Sequence, residues 1–191
     1  AAGVPTVLFF APPTADALRR FPQARAVGLA GTARSRSPQW MDAHLPAAFD
    51  ALAALGAPLL HYKVCSTFDS SPAIGSIGRA IDIGVRSMRA RAHVGAYSAP
   101  ARAHSATPRM RARWSPLIVG APRLHRYQLF GHLFAAVGGV GHRLDRHPTM
   151  SRHPVTPMNE ADLTRHLAAQ TARRIELIDA PTLKAARGVE R

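Results

Sequence analysis

Cysteine, lysine and long apolar runs are all scarce in this chain. Cys65 is the single cysteine among 191 residues, so a disulfide within the chain is excluded. Lys63 and Lys184 are the only lysines, and arginine supplies nearly all of the positive charge. No apolar run reaches the length of a membrane-spanning helix, and no basic start precedes a signal-like core. We therefore expect a cytoplasmic protein that does not associate with membranes.

Acidic residues are also few, with 11 Asp and Glu against 25 Lys and Arg and a net charge of +14. Such a charge is typical of nucleic-acid-binding proteins. Residues 86–113 contain seven arginines and no acid. However, aromatic residues make up only 6% of the chain, and no stacking pattern interleaves the arginines. Nucleic-acid binding through residues 86–113 is therefore the alternative to the function inferred below.

Apolar strands and helical periods alternate along the chain. We predict strands at 6–10, 26–30, 59–64, 117–119 and 174–178, and helices at 37–55, 74–85 and 159–171. In the first helix, Ser37 is the N-cap, Gly56 ends the helix, and Pro46 is expected to bend or divide it. Alternating strands and helices favour an α/β fold, with a Rossmann-like parallel sheet between two layers of helices.

Polar loops follow three of these predicted strands, at 31–35, 63–67 and 120–122. Ligands of open α/β sheets bind beyond the carboxyl ends of the strands, so these loops are expected to converge on one crevice. Ser71 is predicted to cap the next helix, whose unpaired N–H groups would favour an anionic, oxygen-rich ligand. An ordinary capped strand–helix turn is the simpler alternative.

Four ordered sequence blocks carry a family resemblance. They are GTARS at 31–35, KVCSTFDSSP at 63–72, VGAP at 119–122 and DRHPTMSRHPVTPM at 145–158. In this order they resemble the N-terminal domain of the four-carbon acid sugar kinases. Four blocks in sequence are more specific than any one short motif.

The resemblance implies an ATP-dependent kinase that phosphorylates the terminal hydroxyl of a four-carbon sugar acid. 3-Oxo-tetronate, threonate and erythronate are the expected substrate types. On this resemblance we expect residues 1–185 to correspond to the sugar-acid-binding domain, and the C-terminal domain that binds ATP with Mg²⁺ to be absent. We therefore expect this chain to be inactive alone, and the resemblance leaves open whether it forms a homo-oligomer.

The resemblance and the polar loops together assign sugar-acid binding to seven residues: Arg34, Ser35, Lys63, Ser66, Thr67, Gly120 and Arg126. Arg34 is expected to clamp the carboxylate with two hydrogen bonds, and Lys63 to bind an oxygen as a compact charge. A solvated loop arginine and a surface ion pair are the alternatives for Arg34 and Arg126. No residue is identified as catalytic.

The pairs His147-Pro148 and His153-Pro154 suggest a zinc site, with Asp145 nearby. No cysteine partner and no helical His-x-x-x-His spacing accompany them, so we predict no metal.

Residues 86–113 depart from the family pattern. They represent either a stretch read in a shifted frame or a genuine basic insertion, and the coding DNA distinguishes the two. His125 and His132 are smaller departures, since the family pattern leads us to expect glycine and asparagine there.

Overall fold

The first two strands form a parallel pair, as predicted. A computed structural model describes residues 3–94 and 114–189. In it, β1 (Thr6–Phe9) pairs in parallel with β2 (Ala26–Leu29). Both strands are apolar, and their bounds match the predicted ones within one residue. Between them lies the short helix α1 (Ala15–Arg19).

A second, antiparallel sheet was not predicted. Its strands, in spatial order, are β3 (Arg126–Leu129), β4 (His132–Val137) and β5 (Val140–Arg143). Each hairpin turn has two central residues with positive φ, Phe130-Gly131 in one and Gly138-Gly139 in the other. Two such residues make a type I′ turn, whose twist matches that of the flanking strands. The Gly138-Gly139 pair between apolar residues was the sequence signal for this hairpin.

Helix α2 (Pro38–Ala54) follows its sequence signals closely. The Ser37 hydroxyl accepts a hydrogen bond from the Trp40 N–H, and Gly56 follows the helix with φ +70°. Met41, Leu45 and Phe49 are buried, as the helical spacing predicted. Pro46 does not divide the helix.

Helix α3 (Ile77–Val94) begins later and continues further than predicted. Ser71 caps a tight turn instead of the helix, because its hydroxyl accepts from the N–H groups of Ala73 and Ile74. Gly75 then adopts φ +65°, and the Ser76 hydroxyl accepts from the Arg79 N–H, as an N-cap does.

The strands predicted at 59–64, 117–119 and 174–178 are wrong for the described chain, because these residues join no β-ladder. Burial nevertheless alternates along the first of them, with Leu60 and Tyr62 packed against the core. Apolar alternation reports burial on one side, whereas a strand also needs a neighbour whose backbone is available for pairing.

The C-terminal helices also differ from prediction. Helix α4 (Leu163–Ala168) is shorter than predicted and is capped by Asp162 rather than Asn159. The Asp162 carboxylate accepts from the Thr164 N–H at 2.8 Å. Helix α5 (Ala180–Val189) follows. Among the described helices, none combines the length and apolar character needed to cross a bilayer.

The α/β class is confirmed, but the described strands form two sheets and not one Rossmann-like parallel sheet. Two apolar clusters make up the core. One lies between α2 and α3, and the other gathers Phe68, β4 and the 144–158 segment. The second cluster brings the 63–72 and 145–158 sequence blocks together.

Candidate functional site

A buried carboxylate, Asp69, lies at the centre of the candidate site. Its side chain is 0% exposed. Arg34 Nη2 donates to Oδ2 at 2.6 Å, Thr67 Oγ1 donates to Oδ1 at 2.5 Å, and Thr156 Oγ1 donates to Oδ2 at 3.2 Å. A buried charge is stable only when it is paired and hydrogen-bonded, and three separated segments supply these donors.

The surroundings of Asp69 keep it ionised. Burial raises its pKa, but the hydrogen bonds from Thr67 and Arg34 outweigh burial and hold the pKa below its usual value. The same ion pair raises the pKa of Arg34. Asp69 is therefore a permanent negative charge at neutral pH, matched by the guanidinium of Arg34.

Arg34 extends from this pair toward solvent, with 58% of its side chain exposed. It lies in a 3-10 turn, Ala33–Ser35. Gly75 packs against its backbone, where an added Cβ would lie 2.3 Å from the Arg34 carbonyl oxygen. The Gly75 N–H donates to the Arg36 carbonyl at 2.9 Å. The turn before α3 thus fixes the backbone that carries Arg34.

The second His-Pro pair belongs to this site through Thr156. Both the N–H and the hydroxyl of Thr156 lie 3.1 Å from Nδ1 of His153. Because Nδ1 accepts from the backbone N–H, the Thr156 hydroxyl donates to Asp69. His153 therefore acts as a local brace of the turn. No cluster with metal-ligand composition occurs in residues 3–94 or 114–189.

Cys65 lies half-buried at the edge of the site. Its Sγ is 3.1 Å from the Thr67 hydroxyl. Burial raises the pKa of the Cys65 thiol, but hydrogen bonding with Thr67, including its backbone, and the charge of Arg34 leave the pKa below its usual value.

The N-terminus of α3 is not an anion site. Gln170 Oε1 accepts from the N–H groups of Ile77 at 2.8 Å and Gly78 at 3.3 Å, and Ser76 accepts from the third helical N–H. Gln170 Nε2 also donates to Ser70 Oγ at 2.9 Å. The predicted anionic ligand at this terminus is therefore replaced by a side-chain amide of the protein.

Three other predicted site residues are not among the described donors to Asp69. Ser35 is exposed, and its hydroxyl donates to the Thr32 carbonyl at 3.2 Å. Lys63 is exposed, and Ser66 is half-buried on the loop leading to Asp69. Arg34 and Thr67 are thus the predicted residues that meet directly on one carboxylate.

Gly120 and Arg126 lie together at the start of β3. Ala121 and Arg126 form a two-hydrogen-bond bridge directly after Gly120. His125 adopts φ +55°, a conformation that favours glycine, as the resemblance implied for this position. Arg126 Nη1 donates to the Leu124 carbonyl at 2.8 Å. Within the described ranges, no hydrogen bond joins this pair to Asp69 or its donors.

Sequence reasoning did not select Asp69 and Thr156, although both lie inside the sequence blocks that carry the family resemblance.

A cleft of about 280 Å³ lies beside α3, lined by Pro38, Gln39, Asp42, Pro72, Ser76, Arg79, Ala169 and Gln170. It contains none of the seven predicted site residues. Arg79 and Asp42 pair across it at 2.6 and 2.7 Å.

Comparison with known sequences gives two informative relatives and a family match. A family described as a sugar-binding N-terminal domain matches residues 1–191. The chain is 62% identical over 186 residues to 3-oxo-isoapionate kinase from Paraburkholderia graminis, covering 97% of this chain and 35% of the relative. It is 34% identical over 189 residues to 3-oxo-tetronate kinase from Methylobacterium radiotolerans, covering 99% of this chain and 37% of the relative. The chain thus spans about a third of the length of these relatives.

Two solved structures are also similar. One, from Salmonella typhimurium LT2 and provisionally described as a tRNA synthase, superposes with a TM-score of 0.72 at 26% identity, covering 98% of this chain and 39% of that one. Haemophilus influenzae protein HI1011 superposes with a TM-score of 0.56 at 21% identity, covering 84% of this chain and 32% of that one. The second likeness supports the fold alone.

Proposed function

Because this chain belongs to the family of sugar-binding N-terminal domains, whose match spans residues 1–191, we propose that it is the substrate-binding part of a sugar-acid kinase. The family resemblance of the four sequence blocks is confirmed by the match and by the two kinase relatives. In this proposal, ATP with Mg²⁺ is bound by a separate part of the enzyme, which transfers the phosphoryl group.

The paired Arg34 is the observation that carries the proposal. Asp69 fixes one guanidinium nitrogen, and the exposed remainder offers further N–H donors to a carboxylate. Asp69 has no exposed side-chain surface, so it is a positioning residue that orients Arg34. Thr67 donates its hydroxyl proton to Asp69, and we therefore assign it a positioning role too.

The remaining predicted residues complete the proposed substrate contacts. Lys63 and Ser66 lie on the loop before Thr67, where an ammonium and a hydroxyl suit sugar oxygens. Ser35 adjoins Arg34 in the same 3-10 turn. Gly120 and Arg126 are proposed to line one edge of the crevice, at the start of β3.

For the substrate we propose a 3-oxo sugar acid. The relative with 62% identity acts on 3-oxo-isoapionate, and the relative with 34% identity acts on 3-oxo-tetronate. The higher identity favours 3-oxo-isoapionate over the four-carbon acids 3-oxo-tetronate, threonate and erythronate.

The finer fold is part of the same proposal. The parallel strands β1 and β2 are joined through α1, the kind of connection from which Rossmann-like sheets are built. We propose that this pair belongs to a Rossmann-like parallel sheet with helices on both faces.

The nucleic-acid alternative rests on residues 86–113, most of which lie outside the described ranges. Both that alternative and the frameshift hypothesis stay predictions.

Thermal melting with sugar acids tests the binding proposal. A ligand that binds the native state raises the melting temperature, so millimolar 3-oxo-isoapionate should raise it for the wild-type chain. Arg34→Gln should lose this shift, whereas Arg36→Gln, an exposed arginine two residues away, should keep it. A cooperative melt that no sugar acid shifts would contradict the proposal.

A chimaera tests the kinase reaction. This chain would replace the matching N-terminal part of the Paraburkholderia graminis kinase, and ATP consumption would be measured with each sugar acid. We expect turnover with 3-oxo-isoapionate that Arg34→Gln lowers at least tenfold. A folded chimaera without any sugar-acid-dependent turnover would refute the assignment.

A further inference from the structure

Phe68 has an unusual backbone conformation beside the candidate site. Its φ is +53°, in the left-handed region that favours glycine, although the residue is 0% exposed. A bulky residue rarely adopts this conformation, which costs free energy and persists only where the surroundings hold it. Phe68 stands between Thr67 and Asp69, whose side chains meet at 2.5 Å. Whatever holds the backbone of Phe68 therefore also sets the directions of these two side chains.

Contacts from both sides hold Phe68 in place. Its N–H donates to the Cys65 carbonyl at 2.9 Å, and its carbonyl accepts from the Ser70 hydroxyl at 2.9 Å. Its ring meets the His166 ring edge-on, with the ring centroids 5.8 Å apart. The contact with Cys65 is a local turn, whereas His166 lies on α4 and also contacts the Ser70 hydroxyl. The conformation of Phe68 thus depends on a distant part of the chain.

The hydroxyl oxygen of Ser70 contacts three partners at once. Gln170 Nε2 lies at 2.9 Å, His166 Nε2 at 3.0 Å and the Phe68 carbonyl oxygen at 2.9 Å. Gln170 Nε2 must donate to Ser70, because the amide oxygen of Gln170 already accepts from the N–H groups that begin α3. The Phe68 carbonyl can only accept. All three partners are therefore satisfied when the Ser70 proton goes to Phe68 and His166 donates from Nε2–H.

This hydrogen-bond network lies in the interior. Ser70 is 1% exposed, His166 8% and Gln170 9%. Burial lowers the pKa of His166, which fits a neutral ring with a single proton on Nε2. A Cβ added to Gly78 would lie 2.6 Å from the Gln170 carbonyl oxygen, so α3 packs directly against the chain that carries the amide. A buried polar network whose members are all satisfied is rigid and defines one geometry.

We propose that three buried residues, Ser70, His166 and Gln170, are positioning residues of the sugar-acid site. They hold the left-handed turn that directs Asp69 toward Arg34, and they do not contact the substrate themselves. The inference rests on the proposed function, because it makes sugar-acid binding through Arg34 depend on a network in the interior. The alternative is a purely structural network, which would stabilise the fold without affecting Arg34.

NMR of the full chain labelled with ¹⁵N-histidine tests the direction of the hydrogen bonds. We expect His166 of the wild type to be neutral, with its proton on Nε2. A proton on Nδ1 instead would mean that the Ser70 hydroxyl donates to His166 and releases the Phe68 carbonyl, which overturns the proposal. This result needs only the wild-type chain, so it stands even if the variants below fail to fold.

NMR of the chain labelled with ¹⁵N-arginine tests the link to Arg34, whose signals are assigned by their loss in Arg34→Gln. The ion pair with Asp69 restrains the guanidinium, so slowly exchanging Arg34 Nη–H signals are expected in the wild type. Ser70→Ala should lose these signals while keeping a cooperative melt. Gln170→Glu should lose them too, because its carboxylate still caps α3 but accepts the Ser70 proton that otherwise goes to the Phe68 carbonyl.

Ser151→Ala is the matched control. The Ser151 hydroxyl also donates to a backbone carbonyl, that of His147 at 2.8 Å, and within the described residues no hydrogen bond joins it to Asp69. This control should keep both the Arg34 signals and the melting shift given by millimolar 3-oxo-isoapionate, whereas Ser70→Ala should reduce that shift. The Arg34 signals are read without any sugar acid, so their failure is distinguishable from failure of the proposed function. Folded Ser70→Ala and Gln170→Glu chains that both retain the wild-type Arg34 signals would overturn the proposal.

Discussion

Arg34 and Asp69 lie 35 residues apart in sequence and form an ion pair with an Nη2–Oδ2 distance of 2.6 Å. The pair is strongly asymmetric, with 58% of the Arg34 side chain exposed and 0% of the Asp69 side chain. Removing the arginine would leave an uncompensated buried charge, whereas removing the carboxylate charge would release an arginine toward water. Substitution of Arg34 is thus expected to lower stability through the unpaired charge of Asp69, and substitution of Asp69 to weaken binding because Arg34 loses its orientation.

Asp69→Asn is expected to destabilise the fold by about 1–3 kcal/mol, because it removes the negative charge and replaces one of the two buried accepting oxygens with an NH2 group that faces donors. It should also weaken sugar-acid binding, because Arg34 loses its anchor. Urea denaturation measures the first effect and a ligand-induced melting shift the second. Asp42→Asn is the matched control, since its pair with Arg79 is partly exposed and worth about 1 kcal/mol or less. Equal losses in the two variants would contradict the role given to Asp69.

Gly75→Ala should displace the backbone that carries Arg34. Its Cβ would lie 2.3 Å from the Arg34 carbonyl oxygen, and its φ of +65° disfavours a side chain. Gly56→Ala is the control, because Gly56 has a similar φ of +70° with nothing near an added Cβ. We expect the control to lose about 1 kcal/mol and Gly75→Ala to lose more, with weaker sugar-acid binding. Urea midpoints of the two variants that agree within error would count against this packing.

The stability of the protein should fall as the pH is lowered through about 6.5. Burial is the main cause of the lowered pKa values of His147 and His166. At a pH near 6.5 the unfolded chain therefore binds more protons than the folded chain, and protonation favours unfolding. The stability that comes from keeping these two histidines neutral is fully present above their pKa in the unfolded chain, and it is lost as the pH falls toward their lower pKa in the folded chain. Asp69 adds a second loss at lower pH, because its pKa is depressed below 3.8 in the fold.

Urea midpoints measured from about pH 8 to pH 5 check this dependence on protonation. His147→Gln should flatten the curve, and the exposed His61→Gln should not. A wild-type midpoint that stays constant over this range would show that neither histidine is held neutral by burial.

Phe130→Asn is expected to stabilise the β3–β4 hairpin. Phe130 has φ +48°, is 65% exposed, and precedes Gly131 in a type I′ turn. Asn-Gly is a preferred pair for such a turn, so we expect the free energy of unfolding to rise by about 0.5–1 kcal/mol. Leu124→Asn, an exposed position outside the positive-φ region, serves as the control and should give no gain. A loss of stability in Phe130→Asn would mean that its ring contacts outweigh the turn strain.

Local sequence signals predicted those elements whose determinants lie within a few residues. Helix α2 has its cap and its apolar stripe within Ser37–Gly56, and the structure follows both, whereas Pro46 does not divide the helix. The prediction failed where a partner was distant. Residues 59–64 have the apolar alternation of a strand, but pairing depends on a neighbour that the alternation does not specify.

The sequence by itself determined the α/β class, the parallel β1–β2 pair and the family, because apolar periods and contiguous motifs are local properties. Tertiary structure alone decided which side chains meet. Asp69 became the centre of the site because packing brought Arg34 and Thr156 to it. Gln170 likewise caps α3 from 93 residues away. A buried carboxylate or helix terminus must find its partners in space, and spacing along the chain does not encode where they lie.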